Sequence, residues 1–144
     1  MYQHKYAWHT TVEEKSLFFK VRACSDVSVI LTRYFGISDY GVYEILIGGQ
    51  GNTKVELRFG IGGSLIGEVT WPNTDLLHCT QSRWFWIDWT KGISVGNGPY
   101  MSDSALLTVS ESQMPERFPF YAAAFSTGAT SDGDWEFTTV PGVL

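Results

Sequence analysis

Two stretches, Thr70-Trp71-Pro72-Asn73-Thr74-Asp75 and Asn97-Gly98-Pro99-Tyr100-Met101-Ser102-Asp103, hold the residue types that recognise a small polyhydroxylated ring. An aromatic side chain packs on the apolar face of a pyranose, while carboxylates and amides accept from and donate to its hydroxyls. Trp71 and Tyr100 are the stacking candidates, and Asn73, Asp75, His78, Asn97 and Asp103 the candidate hydroxyl partners. Each has a plainer use as well, since Asn, Asp and Gly build turns and a tryptophan ahead of a proline can cap a sheet. Asp132-Gly133-Asp134, with Asp103, offers oxygen atoms of the kind calcium takes, but without the spacing of a calcium loop. Asx turns are the expected role there, and no metal or other cofactor is expected.

Enzyme chemistry finds less support. A retaining glycosidase needs two carboxylates about 5–5.5 Å apart. Asp132 and Asp134 fall in a turn, and Glu44, Glu56 and Glu68 stand in apolar strands with Arg58, Arg33 or Lys54 as expected partners. His4, His9 and His78 come without a nucleophile elbow. Phe59-Gly60-Ile61-Gly62-Gly63 joins two apparent antiparallel strands with no helix after it, so a hairpin turn is expected rather than a cofactor loop. Gly49 to Lys54 has the wrong order for a phosphate loop. Non-catalytic binding is the expectation, and a structural or self-association module that binds no glycan is the rival.

The elements that must position these residues are strands. In Arg83-Trp84-Phe85-Trp86-Ile87-Asp88-Trp89, alternation puts Phe85, Ile87 and Trp89 on one face and Trp84, Trp86 and Asp88 on the other. A strand with one face in a core needs one row of large groups. Trp84 and Trp86 therefore need a second partner: an opposing sheet, another subunit or a flat ligand. Strands are expected at 4–9, 15–23, 27–34, 42–48, 53–59, 65–70, 83–90, 92–97, 105–110, 119–125 and 134–140. Their turns carry many of the 15 glycines, and no segment repeats apolar residues at helical spacing. The fold expected is an all-β antiparallel sandwich of jelly-roll or concanavalin-like type, one domain over residues 1–144. If each strand reverses the last, loops 24–26, 49–52, 71–82, 98–104 and 126–133 meet at one end, and 35–41, 60–64 and 111–118 at the other.

Cys24 and Cys79 then share an end, which makes an intramolecular disulfide the expectation in a secreted protein. A net charge of −5 at pH 7 argues against nucleic acid as a partner. The longest apolar run, Phe118 to Phe125, is interrupted by Pro119 and is too short to span a bilayer. The N-terminus has no apolar leader. A secreted form whose leader is absent is expected, with a cytoplasmic protein as the other placement.

Three blocks carry a family resemblance. RWFWIDWTKGISVGNG resembles the "FWI-x-W…G-x-I-x-VG-x-G" block of the farnesoic acid O-methyltransferase-type domain. FFKVRACSDVSVILT at 18–32 with YEILIGGQGNTKVELR at 43–58 is similar to its "F-x-V-x-A…YEI-x-IGG-x-x-N-[TS]…R" stretch, and FYAAAFSTGATSDGDWEF at 120–137 to its closing "FSTG…G-W-x-F". Residues 105–116 depart from it, where the family usually carries a "PFL-x-W-x-D" type segment. The name implies methyl transfer, which the glycine loops here do not support. Lectin-like members of the family imply glycans as partners, of galactose or N-acetylhexosamine type. The two-sided strand at 83–90, with the avidity that small lectins gain from repeated sites, makes a homodimer or tetramer the expected assembly.

Overall fold

The computed structural model describes residues 7–11, 15–33, 41–72, 75–101, 105–128 and 133–138. Among them run eleven strands: β1 (Ala7–Thr11), β2 (Ser16–Arg22), β3 (Val27–Thr32), β4 (Val42–Gly48), β5 (Lys54–Phe59), β6 (Ser64–Thr70), β7 (Arg83–Asp88), β8 (Ile93–Asn97), β9 (Leu107–Val109), β10 (Ala122–Thr127) and β11 (Asp134–Thr138). A single short turn of helix, α1 (Gly49–Asn52), links β4 to β5. Every strand pair is antiparallel. A six-stranded sheet runs β1-β10-β3-β4-β5-β6 and a five-stranded sheet β11-β2-β7-β8-β9.

The sheets pack face to face because alternation gives each an apolar inner row. Val29, Leu31, Tyr43, Ile45, Val55 and Leu57 come from the six-stranded sheet. Leu17, Phe19, Val21, Phe85, Ile87 and Val95 answer from the five-stranded one. All twelve are completely buried, so truncating any large one to alanine costs about 2–5 kcal/mol. Tyr43 reaches furthest. Its hydroxyl donates to the Glu116 carbonyl and accepts from the Glu116 N–H at 3.3 Å, which ties the segment before β10 to β4.

The outer row of β7 is satisfied within the chain rather than by a third layer. Trp86 is only 5% exposed, with Phe18 opposite it on β2 and Gly96 opposite it on β8. A Cβ on Gly96 would lie 2.2 Å from the indole, so the ring occupies the space that this glycine leaves open. Trp84 lies beneath the Lys20 ammonium, 5.5 Å from ring centre to nitrogen. Trp86 is thus covered by cross-strand neighbours and Trp84 in part, which alternation alone does not reveal.

Strand ends shift where backbone chemistry requires it. The strand expected at 119–125 begins at Ala122, because Pro119 has no N–H for the ladder and Phe120 turns its ring edge-on to Trp89 and Tyr43. That expected at 105–110 is shorter, since Ser110 starts a 3-10 turn, Glu111–Gln113, closed by a reciprocal capping box.

Candidate functional site

The β2–β3, β4–β5 and β6–β7 connections are cross-linked at one end of the sandwich. Cys24 and Cys79 form a disulfide with Cα atoms 4.0 Å apart. Asn52, at φ 68, has a buried amide that donates to the Leu77 carbonyl at 2.8 Å and accepts from the Leu77 N–H at 3.0 Å. Arg22 donates to the Cys79 carbonyl at 2.8 Å and pairs with Asp134 at 2.7 Å. Asp26 and Gln50, like Asn52, take the left-handed backbone that non-glycine residues rarely adopt. Strained backbone of this kind persists where surrounding contacts over-determine it, as the disulfide and the Asn52 bridge do here.

Beside this anchor lies a cleft of about 350 Å³. The β6–β7 connection supplies Trp71, Asp75 and Leu76, and the last residue of β8 with the turn after it supplies Asn97, Gly98 and Pro99. Ser82, Arg83, Trp84 and Phe85 line it from β7 and the residue before it. The walls are held: Trp71 is half-buried against the core, and its indole N–H donates to Asp75 Oδ1 at 2.8 Å. The Gly98 N–H donates to the Trp84 carbonyl at 2.9 Å. Gly98 stands at φ 101, a conformation that lets the chain turn sharply beside Pro99.

Of the residues singled out from sequence, the fold brings Trp71, Asp75 and Asn97 into this one cleft. His78 stands apart, in a shallow depression with Cys24, Ser25 and Asn52, where its Nδ1 accepts from the Thr80 and Gln81 N–H groups at 3.1 and 3.2 Å. It organises its own turn. Tyr100 is 56% exposed and does not line the cleft. Asn73, Asp103 and Asp132 lie outside the described residues. The glutamates of the six-stranded sheet's outer face are engaged: Glu56 pairs with Arg58 at 3.0 Å, Glu68 with Lys54 at 3.3 Å, and Glu44 accepts from the Gly62 N–H at 3.1 Å. Asp134 and Glu136 also share a face of β11, but both are exposed and Asp134 is bound to Arg22.

Arg83 is the site residue that residue-type reasoning passed over. It falls on the same face of β7 as Phe85 and Ile87, at the lip of the core. Its Nε is buried and has no hydrogen-bond partner. The signal was present in the alternation: a cation at a core-facing position.

A larger cavity of about 640 Å³ lies at the opposite end, among Lys15, Trp89, Glu111, Arg117, Phe118 and Phe120. Size favours it, but its Arg117 and Glu111 already satisfy each other at 3.4 Å. The smaller cleft keeps an unanswered polar group, and that is the stronger mark of a ligand site. The Gly60–Gly63 stretch is a hairpin between β5 and β6, closed by Gly63 N–H to the Gly60 carbonyl at 3.1 Å. No helix among the described residues is long and apolar enough to cross a membrane.

A family model described as farnesoic acid O-methyl transferase matches residues 1–140. A curated relative, "Uncharacterized protein 5" of Haliotis asinina, is 31% identical over 87 residues, which is 60% of this chain and 49% of that protein. The chain thus spans about half the length of the curated relative it matches. Two solved structures share the fold. "CG-16, a homodimeric agglutinin from chicken liver" superposes with a TM-score of 0.56 at 11% identity, covering 94% of this chain and 100% of that one. Galectin-Ib of Xenopus laevis gives 0.51 at 9% identity, over 92% and 100%.

Proposed function

The chain belongs to the farnesoic acid O-methyl transferase family, and from that premise we propose that it is a non-catalytic carbohydrate-binding protein, a small lectin. The observation that carries this reading is the cleft itself. Two connections far apart in sequence converge there with an indole, a carboxylate, an amide and a guanidinium around about 350 Å³. That volume is within the range of small-ligand sites, about 300–1,000 Å³, and the residue types are those that hold a sugar ring and its hydroxyls. The shared sandwich with an agglutinin and a galectin supports it at the level of fold. The family name describes methyl transfer, but the glycine stretch Gly60–Gly63 is a hairpin turn between antiparallel strands.

The ring stacks on Trp71, with Asp75 and Asn97 taking hydroxyls. Residues 1–144 act as one domain. The Cys24–Cys79 disulfide supports a secreted protein, because such bonds persist in oxidising compartments. The test is a glycan array followed by titration of the best ligand into Trp71→Ala. Loss of the indole removes contact area as well as orientation, so affinity is expected to fall about tenfold or more while the melting profile shows a folded protein. Silence across the array would favour the rival, a self-association module. Parental affinity in a folded Trp71→Ala would move the site elsewhere.

A further inference from the structure

We infer that the cleft between Trp71 and Asn97 selects a sugar bearing a carboxylate, with Arg83 as its counter-ion. This rests on the reading of that cleft as a glycan site and deepens it by naming the ligand class.

The argument starts from what a guanidinium requires. Its planar fork of N–H donors is always charged, and taking it out of water is costly unless carboxylates or carbonyls replace the lost hydration. Other arginines and lysines of the chain meet that requirement: Arg22 with Asp134, Arg58 with Glu56, Arg117 with Glu111, Lys54 with Glu68. Arg83 does not. Among the described residues no carboxylate pairs with it, although it sits at the lip of the core with its Nε shut off from water. The residue as a whole keeps partial exposure, and that part lines the cleft.

The acidic residue that lines the same cleft is Asp75, and one of its oxygens is committed to the Trp71 indole. A carboxylate brought by the ligand answers the charge of the guanidinium from the part that lines the cleft, not at the shut-off Nε, and the neutralised pair is stronger in a partly dry cleft than in water. A uronic acid meets both demands at once: a pyranose face for Trp71 and a carboxylate for Arg83. Asp75, facing the same ligand, limits the affinity through like-charge repulsion.

The experiment titrates the full chain with digalacturonate and with its dimethyl ester, which keeps the rings but exchanges each charge for an ester methyl, beside an array of neutral and acidic glycans. The parent is expected to bind digalacturonate, or the acidic member of whichever matched pair the array selects, about tenfold or more tighter than the uncharged member. Arg83→Gln is expected to erase that preference, Arg83→Lys to keep part of it, and Asp75→Asn to increase it, with melting profiles showing each variant folded. Equal or better binding of the uncharged member, or a preference that survives Arg83→Gln, overturns the inference and leaves the glycan reading standing. Silence on neutral and acidic glycans alike overturns both.

Discussion

At the scale of single residues, Tyr43 shows how one polar atom organises an otherwise apolar site. Its ring lies in the core among Phe59, Phe118 and Phe120, and its hydroxyl holds both backbone groups of Glu116. Burial holds the phenol above the ordinary tyrosine range, and the hydrogen bond to Glu116 offsets only part of that. A proton bound more tightly in the folded state stabilises the fold below the ordinary tyrosine value of about 10. That stability is lost as pH rises through the raised folded value. Tyr43→Phe is therefore expected to cost about 0.5–1.5 kcal/mol near neutrality and to remove part of the alkaline loss, which melting curves on both sides of the transition would check. An unchanged alkaline limb would assign that loss to other groups.

Among the elements, the loop cluster around Cys24 and Cys79 decides whether the cleft exists in one shape. The bridge closes a separation of 55 residues, which the chain-entropy model values at about 4 kcal/mol. Reduction is expected to lower the melting temperature by several degrees or more. Because Asn52 still holds Leu77 from both sides, the β6–β7 connection should loosen rather than detach. Glycan affinity is expected to fall with it, since Trp71 and Asp75 ride on the same connection. Differential scanning with and without reductant, paired with titration, reads both effects. A reduced protein with unaltered melting would show that the sheets and Asn52 suffice.

For the whole molecule, the Trp84 and Trp86 row of the five-stranded sheet finds partners among the described residues, since Trp86 is covered within the chain and the partly exposed Trp84 lies beneath Lys20. A homo-oligomer is therefore not needed to hide those rings, and what it would add is avidity. On the proposed lectin reading, repeated sites would multiply the affinity of a single cleft by about 10²–10⁴. A homo-oligomer is the expected state, and light scattering at micromolar concentration should return a mass above that of one chain. A monomeric mass would remove the avidity argument and leave the single-cleft reading to stand on the titration.

The all-β class was legible without coordinates. Period-2 alternation is a local property of the chain, so Phe85 and Ile87 could be placed on the core face, and the reversal of successive strands placed Cys24 near Cys79, from their own neighbours. The same alternation put a cation, Arg83, beside them, but residue types alone gave no reason to read it as a site. What covers Trp86, why His78 turns onto its own loop, and which of the candidate residues share a cleft were settled only by three-dimensional packing. Those outcomes depend on cross-strand register and on how loops separated by tens of residues settle against one another. Sequence spacing carries the direction of a side chain from its own strand, but the partner it meets comes from a distant part of the chain.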